Sequence, residues 1–197
     1  MMLEDMAAPF DLSGRNVLIT GGTGGIGRAC VERLTRHGAL VTLTCVEGHE
    51  DPGLVIADFA GLSNVTVEPL DLRQKAAIRR CIDNVLQARG RIDVLVNNAA
   101  VGSATVADWS GDPADQDSLM LQINADGTLK MCQHYLAVTD TPGRKIINLG
   151  SVGGGVSVFP GFRLSDGMSK AAITFMSKQL AAETVFADVD VFAICPG

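Results

Sequence analysis

The chain has 197 residues, 47% of them apolar, which is enough for one sizeable core with no sign of a second, so residues 1–197 read as a single domain. Its 16 basic and 22 acidic residues leave a net charge of -6 without any basic cluster, which excludes nucleic acid as the expected partner and leaves small molecules. Five cysteines stand far apart, with no CxxC pair and no histidine at metal spacing, a pattern expected of reduced thiols in a cytoplasmic protein without a metal site.

Met1 to Phe10 is acidic and lacks a cationic start followed by an apolar run, so it reads as neither signal peptide nor anchor. No apolar stretch approaches the roughly 18 residues needed to cross a bilayer, and no membrane partner is expected. From there, short apolar runs bounded by turn residues alternate with stretches of helical spacing. The runs "NVLIT" from Asn16, "ALVTLTCV" from Ala39, "VTVEPL" from Val65, "IDVLVNNAA" from Ile92, "KIINLGS" from Lys145 and "VDVFAICPG" from Val189 predict buried strands. Helices are predicted over Ile26 to His37, Gln74 to Arg89, about Ala114 to Val138, and Met168 to Phe186, while Gly102 to Asp117 reads as a loop whose part from Asp108 to Asp117 runs into a helix start. The alternation implies an α/β fold: a doubly wound parallel sheet with helices on both faces, whose ligands bind beyond the carboxyl ends of the strands.

The first strand runs into "TGGTGGIGRA", which sets Gly21, Thr23, Gly25, Ile26 and Gly27 between strand and helix. Such a turn lets the backbone approach a pyrophosphate, and the following helix offers its unpaired amides and positive dipole end. With the later landmarks this resembles the short-chain dehydrogenase/reductase family, over essentially the whole chain. The matching residues are Asp71 and Leu72 in "PLDLR", Asn98 and Ala99 in "NNAA", Asn124 in "QINADGTLK", Ser151 in "IINLGSVGG", Lys170 in "MSKAA", and Pro196-Gly197.

The resemblance implies a Rossmann-type domain binding NAD or NADP, with hydride transfer between the nicotinamide and a small carbonyl or alcohol substrate. It makes Gly21, Thr23, Gly25, Ile26, Gly27, Cys45, Asp71, Leu72, Asn98, Ala99, Lys170, Pro196 and Gly197 cofactor contacts. The second strand ends at Cys45-Val46, where an acid would select NAD or a nearby arginine NADP; Glu47 and Arg28 are out of place for either role, and the choice stays open. The catalytic set implied is Ser151, Lys170, Asn124 and a tyrosine, but the tyrosine slot holds Asp166 and the slot of the divergent form holds Arg163. The one tyrosine, Tyr135, is far away in sequence.

An aspartate ionises near pH 3.9 and a neighbouring lysine lowers that further, so Asp166 is expected to lack a proton to give unless desolvation intervenes. It also suits a helix cap, and an i, i+4 ion pair with Lys170. An oxidoreductase with an altered proton donor and a catalytically silent nucleotide-binding subunit are therefore both open readings. The chain stops at "ICPG", before the covering segment, last helix and last strand of the resembling proteins, as a fragment, a piece of a longer chain or a short homologue would. The last helix carries small and apolar residues around much of its circumference, which together with the resemblance predicts a homo-oligomer, dimer or tetramer.

Overall fold

The computed structural model describes residues 10–197, so the stretch assessed above as neither signal peptide nor anchor lies, but for Phe10, outside it. The elements in chain order are β1 (Asn16–Ile19), α1 (Gly25–Arg36), β2 (Leu40–Val46), α2 (Pro52–Ala57), β3 (Val65–Leu70), α3 (Lys75–Arg89) and β4 (Val94–Asn97). There follow α4 (Ser103–Trp109), α5 (Pro113–Leu121), a π-helical segment (Gln122–Gly127), α6 (Thr128–Val138), β5 (Arg144–Leu149), α7 (Leu164–Glu183) and β6 (Val189–Ile194). The six strands are all parallel, in the order β3-β2-β1-β4-β5-β6. Strand order therefore reverses between β1 and β4, and a crevice opens beyond their carboxyl ends.

Parallel strands covered on both faces read as continuous apolar runs, and every residue of β1 is buried. Alternation along β1 divides the core. Leu18 joins Ile78, Ile82, Met131, Tyr135 and Leu180 under α3, α6 and α7, whereas Val17 and Ile19 join Val31, Val41, Leu43 and Phe59 under α1 and α2. Between β4, β5 and α7 runs a buried polar chain in which Asn97 Nδ2 donates to Asn148 Oδ1 at 2.8 Å and Asn148 Nδ2 to Ser177 Oγ at 2.9 Å. Among the described residues no helix is long and apolar enough to cross a membrane.

Several boundaries differ from the sequence expectation. The last helix starts at Leu164, not Met168, because Arg163 and Ser165 dock onto α5: Arg163 Nε donates to Asp117 at 2.6 Å, its Nη1 to Gln116 at 2.7 Å, and Ser165 Oγ to Asp117 at 2.6 Å. Asp166 consequently sits inside the first turn and not at its cap, which is Arg163 with no side-chain cap bond. The predicted loop over Gly102 to Asp117 is largely two helices, α4 and the start of α5. Asp112 caps α5 by accepting from Ala114 N at 2.8 Å, and Pro113 occupies its first position. Gly, Pro and Asp there punctuate two helices and do not make one long loop. The same Asp-Pro signal at Asp51-Pro52 starts the unforeseen helix α2. The helix predicted from Ala114 onward is interrupted by the π segment.

Tyr135 is fully buried, and its hydroxyl donates to the Ile92 carbonyl at 3.1 Å, just before β4 and so at the end of the sheet away from the crevice. Burial holds the phenol far above its ordinary ionisation range, though the Arg144 charge pulls the other way. Tyr135→Phe loses one buried hydrogen bond. It should cost about 1 kcal/mol, a fall in Tm of about 2–4 °C for a chain of this size, with nucleotide affinity unchanged; calorimetric melting and titration check both.

Candidate active site

The turn after β1 is fastened on both sides. Thr20 Oγ1 accepts from the Asn98 and Ala99 amides at 3.1 and 3.0 Å, and Asn98 Nδ2 donates to the carbonyls of Thr20 and Gly21 at 3.0 and 2.8 Å. On the β2 side, Gly21 N donates to Thr44 Oγ1 at 3.1 Å and Gly22 N to the Thr44 carbonyl at 3.3 Å. A Cβ on Gly27 would stand 2.1 Å from the Gly21 carbonyl oxygen and 2.5 Å from Asn98 Nδ2, so only glycine lets α1 seat this close to the strand. Gly25 has φ +53°, and a Cβ there would enter open space. Helix α1 has no side-chain cap and no acidic residue in its first turn, leaving its free amides and positive end uncompensated. A cradle without side chains before an uncapped helix start fits a diphosphate.

The groove beyond this turn has a volume of about 570 Å³. Of the anticipated nucleotide residues, Gly21, Thr23, Ile26, Cys45, Asp71, Leu72, Asn98, Ala99, Lys170 and Pro196 line it, whereas Gly25, Gly27 and Gly197 do not. Ser151 and Asp166 line it beside Lys170. Asn124 does not: it is buried in the π segment, where its Oδ1 accepts from Val101 N at 2.8 Å and its Nδ2 donates to the Val101 carbonyl at 3.0 Å and to Ser169 Oγ at 3.3 Å. It braces the loop after β4 against α7, and the widened π turn is what lets Asn124 reach both. Thr44, Arg73, Trp109 and Phe162 also line the groove and were not singled out from the sequence. Thr44 carried a signal, a threonine alternating with apolar residues inside a buried strand.

At the β2–β3 end, Asp71 gives both oxygens to Arg73, at 2.9 Å each. Burial raises this carboxyl, but the Arg73 bonds outweigh it and hold Asp71 below the ordinary carboxylate range. The Arg73 guanidinium lies 5.5 Å from the Trp109 ring centre, and Trp109 stacks on His49 at 5.4 Å and 18°. Neither Glu47 nor Arg28 reaches the groove: Glu47 takes Arg80 at 2.7 and 2.8 Å, and Arg28 pairs with Glu32 and Asp58.

At the other end, Lys170 Nζ donates to the Leu149 carbonyl at 3.0 Å and forms no ion pair with Asp166. Burial lowers the Lys170 amine, against a smaller upward pull from Asp166 and Cys195. Burial likewise raises Asp166, and Lys170 pulls it back by less. The expected depression of Asp166 is thus reversed: its carboxyl meets a desolvated groove with no hydrogen-bond donor among the described residues, while the Lys170 ammonium is turned to a carbonyl. An acid and an amine, each biased toward its neutral form, stand in one groove with the Ser151 hydroxyl, the kinds of group that proton transfer uses. All five cysteines are free, and burial pushes Cys81 and Cys132 up to about 12, which marks both as inert core residues.

The sequence pattern of the short chain dehydrogenase family matches residues 15–197. The rhamnolipid-biosynthesis 3-oxoacyl-[acyl-carrier-protein] reductase of Pseudomonas aeruginosa is 31% identical over 194 residues, 95% of this chain and 74% of that protein. A sorbitol dehydrogenase of Cereibacter sphaeroides is 31% identical over 194 residues, 94% of this chain and 71% of that protein. Among solved structures, the Pseudomonas aeruginosa RhlG/NADP active-site complex superposes with a TM-score of 0.81 at 28% identity, covering 95% of this chain and 73% of that one. A short chain dehydrogenase from Burkholderia cenocepacia J2315 in complex with NADP gives 0.82 at 28% identity, covering 95% and 76%. The fold, the glycine cradle and these likenesses agree, and the chain belongs to the short-chain dehydrogenase family of NAD(P)-dependent oxidoreductases.

Proposed function

We propose that the chain interconverts a small carbonyl compound and its alcohol, with Asp166 handling the proton that a tyrosine handles in resembling proteins. The carrying observation is the placement of the Asp166 carboxyl, without an ion-pair or hydrogen-bond partner among the described residues, in the groove that also holds the glycine cradle, Ser151 and Lys170; burial there raises the carboxyl. A bound nicotinamide supplies or accepts the hydride. Ser151 donates its hydroxyl to the substrate oxygen and fixes it. Protonated Asp166 gives its proton to that oxygen during reduction, through a water because a carboxyl is shorter than a phenol, and the carboxylate takes it back during oxidation. Lys170 holds the nicotinamide ribose and its charge favours the Asp166 anion, while Asn124 keeps Val101 and Ser169 in place behind the site. Gly21, Thr23, Gly25, Ile26 and Gly27 serve the diphosphate, Cys45, Asp71, Leu72, Asn98 and Ala99 the adenosine, and Pro196 and Gly197 the nicotinamide side.

A second reading, a nucleotide-binding subunit without turnover, draws on two facts: the only phenol is locked in the core by Ile92, and the Lys170 ammonium is already spent on Leu149. Residues 1–197 act in either case as one nucleotide-binding domain, supported by the single sheet flanked by both core clusters. The free thiols favour a cytoplasmic setting. Homo-oligomerisation is supported by the apolar face where α6 and α7 run side by side, with Phe175 70% exposed and Leu129 36% exposed.

Asp166→Asn should abolish reduction of a carbonyl panel while NAD(P)H affinity stays within about threefold, because about 10²–10⁴ of rate is at stake in a general acid. In the parent, carbonyl reduction should be full at acid pH and fade as pH rises through the raised Asp166 value, with alcohol oxidation showing the opposite trend. A parent without turnover whose Asp166→Tyr variant becomes active would instead establish the silent reading. Phe175→Glu should shift sedimentation from oligomer to monomer without loss of nucleotide binding.

A further inference from the structure

The end of β2 lacks the acidic side chain that would accept a hydrogen bond from a ribose 2'-hydroxyl, since Cys45 and Val46 stand there. The turn that follows brings a carboxylate back to the backbone of that strand end. Glu50 Oε2 accepts from the Val46 amide at 2.6 Å. Residues 44 and 46 of a strand present their backbone groups to the same side, and on that side Thr44 is bonded to Gly21 and Gly22 of the glycine turn. The Glu50 carboxylate therefore accepts on the β1 side of β2, two residues farther along the strand than the Thr44 carbonyl that takes the Gly22 amide. A dinucleotide whose diphosphate rests on the start of α1 has its adenosine ribose beyond the end of β2. Glu50 Oε1 has no hydrogen-bond partner among the described residues.

The other carboxylates around this strand end are engaged: Glu47 by Arg80, Asp51 by the Gly53 amide, Asp71 by Arg73, and Glu68 by Asn84. The nearby cations are engaged too, Arg73 on Asp71 and Arg80 on Glu47. The thiol of Cys45, at the position in question, is pushed up first by burial and then by the charges of Glu50, Asp51 and Glu68. The uncommitted oxygen of Glu50 suits a diol, and its charge opposes a phosphate.

Resting on the reading of the groove as a dinucleotide site, we infer that Glu50 replaces the missing strand-end acid, accepts from the adenosine ribose hydroxyls and selects NAD over NADP. In this the chain departs from the two solved relatives whose structures hold NADP. Glu50→Gln keeps an oxygen for the Val46 amide and removes only the charge.

Calorimetric titration of the full chain with NAD and NADP should give about tenfold or greater preference for NAD, because like charges set side by side at a binding surface are strongly penalised. In Glu50→Gln the preference should shrink to about threefold or less, and in the control Glu47→Gln it should persist. ADP against 2',5'-ADP, titrated on the parent alone, should show the same order whether or not the variants fold. Preference of the parent for NADP and 2',5'-ADP, or an unchanged ratio in Glu50→Gln, overturns the role of Glu50 and leaves the dinucleotide site standing. Failure of the parent to bind any of the four overturns the dinucleotide site, and the role of Glu50 with it.

Discussion

Asn98 clasps the carbonyls of Thr20 and Gly21 while Thr20 receives the amides of Asn98 and Ala99, and this reciprocal clasp sets the whole groove. It joins the two strands between which the strand order reverses, so the turn cannot drift from the loop after β4. With the turn fixed, glycine at position 27 lets α1 close on it, and the helix start then aims at a defined point. The second brace is Asn124, which ties the same loop to α7 through Val101 and Ser169. The glycine-cradle end of the groove and the end holding Ser151, Asp166 and Lys170 are thereby registered through one loop, Asn97 to Val101.

The arrangement of strands was legible because each strand is a short apolar run buried on both faces, and the cradle because glycine spacing between strand and helix has few other uses. What was not legible depended on contacts distant in sequence. The early start of α7 comes from Arg163 and Ser165 reaching Asp117, more than forty positions away. The π segment has no local composition signal, and Asn124 faces inward because of it. Helices α2 and α4 hid beside Gly, Asp and Pro, which mark helix starts as readily as loops. Asp166 lines the groove, and its carboxyl is raised where the spacing to Lys170 suggested a fall, since spacing says nothing of where the ammonium points.

The difference is one of engagement between charges. An aspartate beside a lysine is usually held as an anion, but only when the two charges meet. Here the lysine satisfies itself on a backbone carbonyl, and the carboxyl is left with the cost of burial and little of the compensating attraction. The same distinction between proximity in sequence and engagement in space separates Glu47, bound by Arg80, from Glu50, which keeps an oxygen uncommitted at the strand end.

The chain has one tryptophan and one tyrosine, and they stand at opposite ends of the sheet, Trp109 on the groove wall against Arg73 and His49 and Tyr135 in the core. Its near-ultraviolet spectrum therefore separates by geography. Indole emission reports on the ligand-binding edge, and the phenol's absorption on the integrity of the interior, so occupancy and unfolding can be followed in the same cuvette without any attached dye.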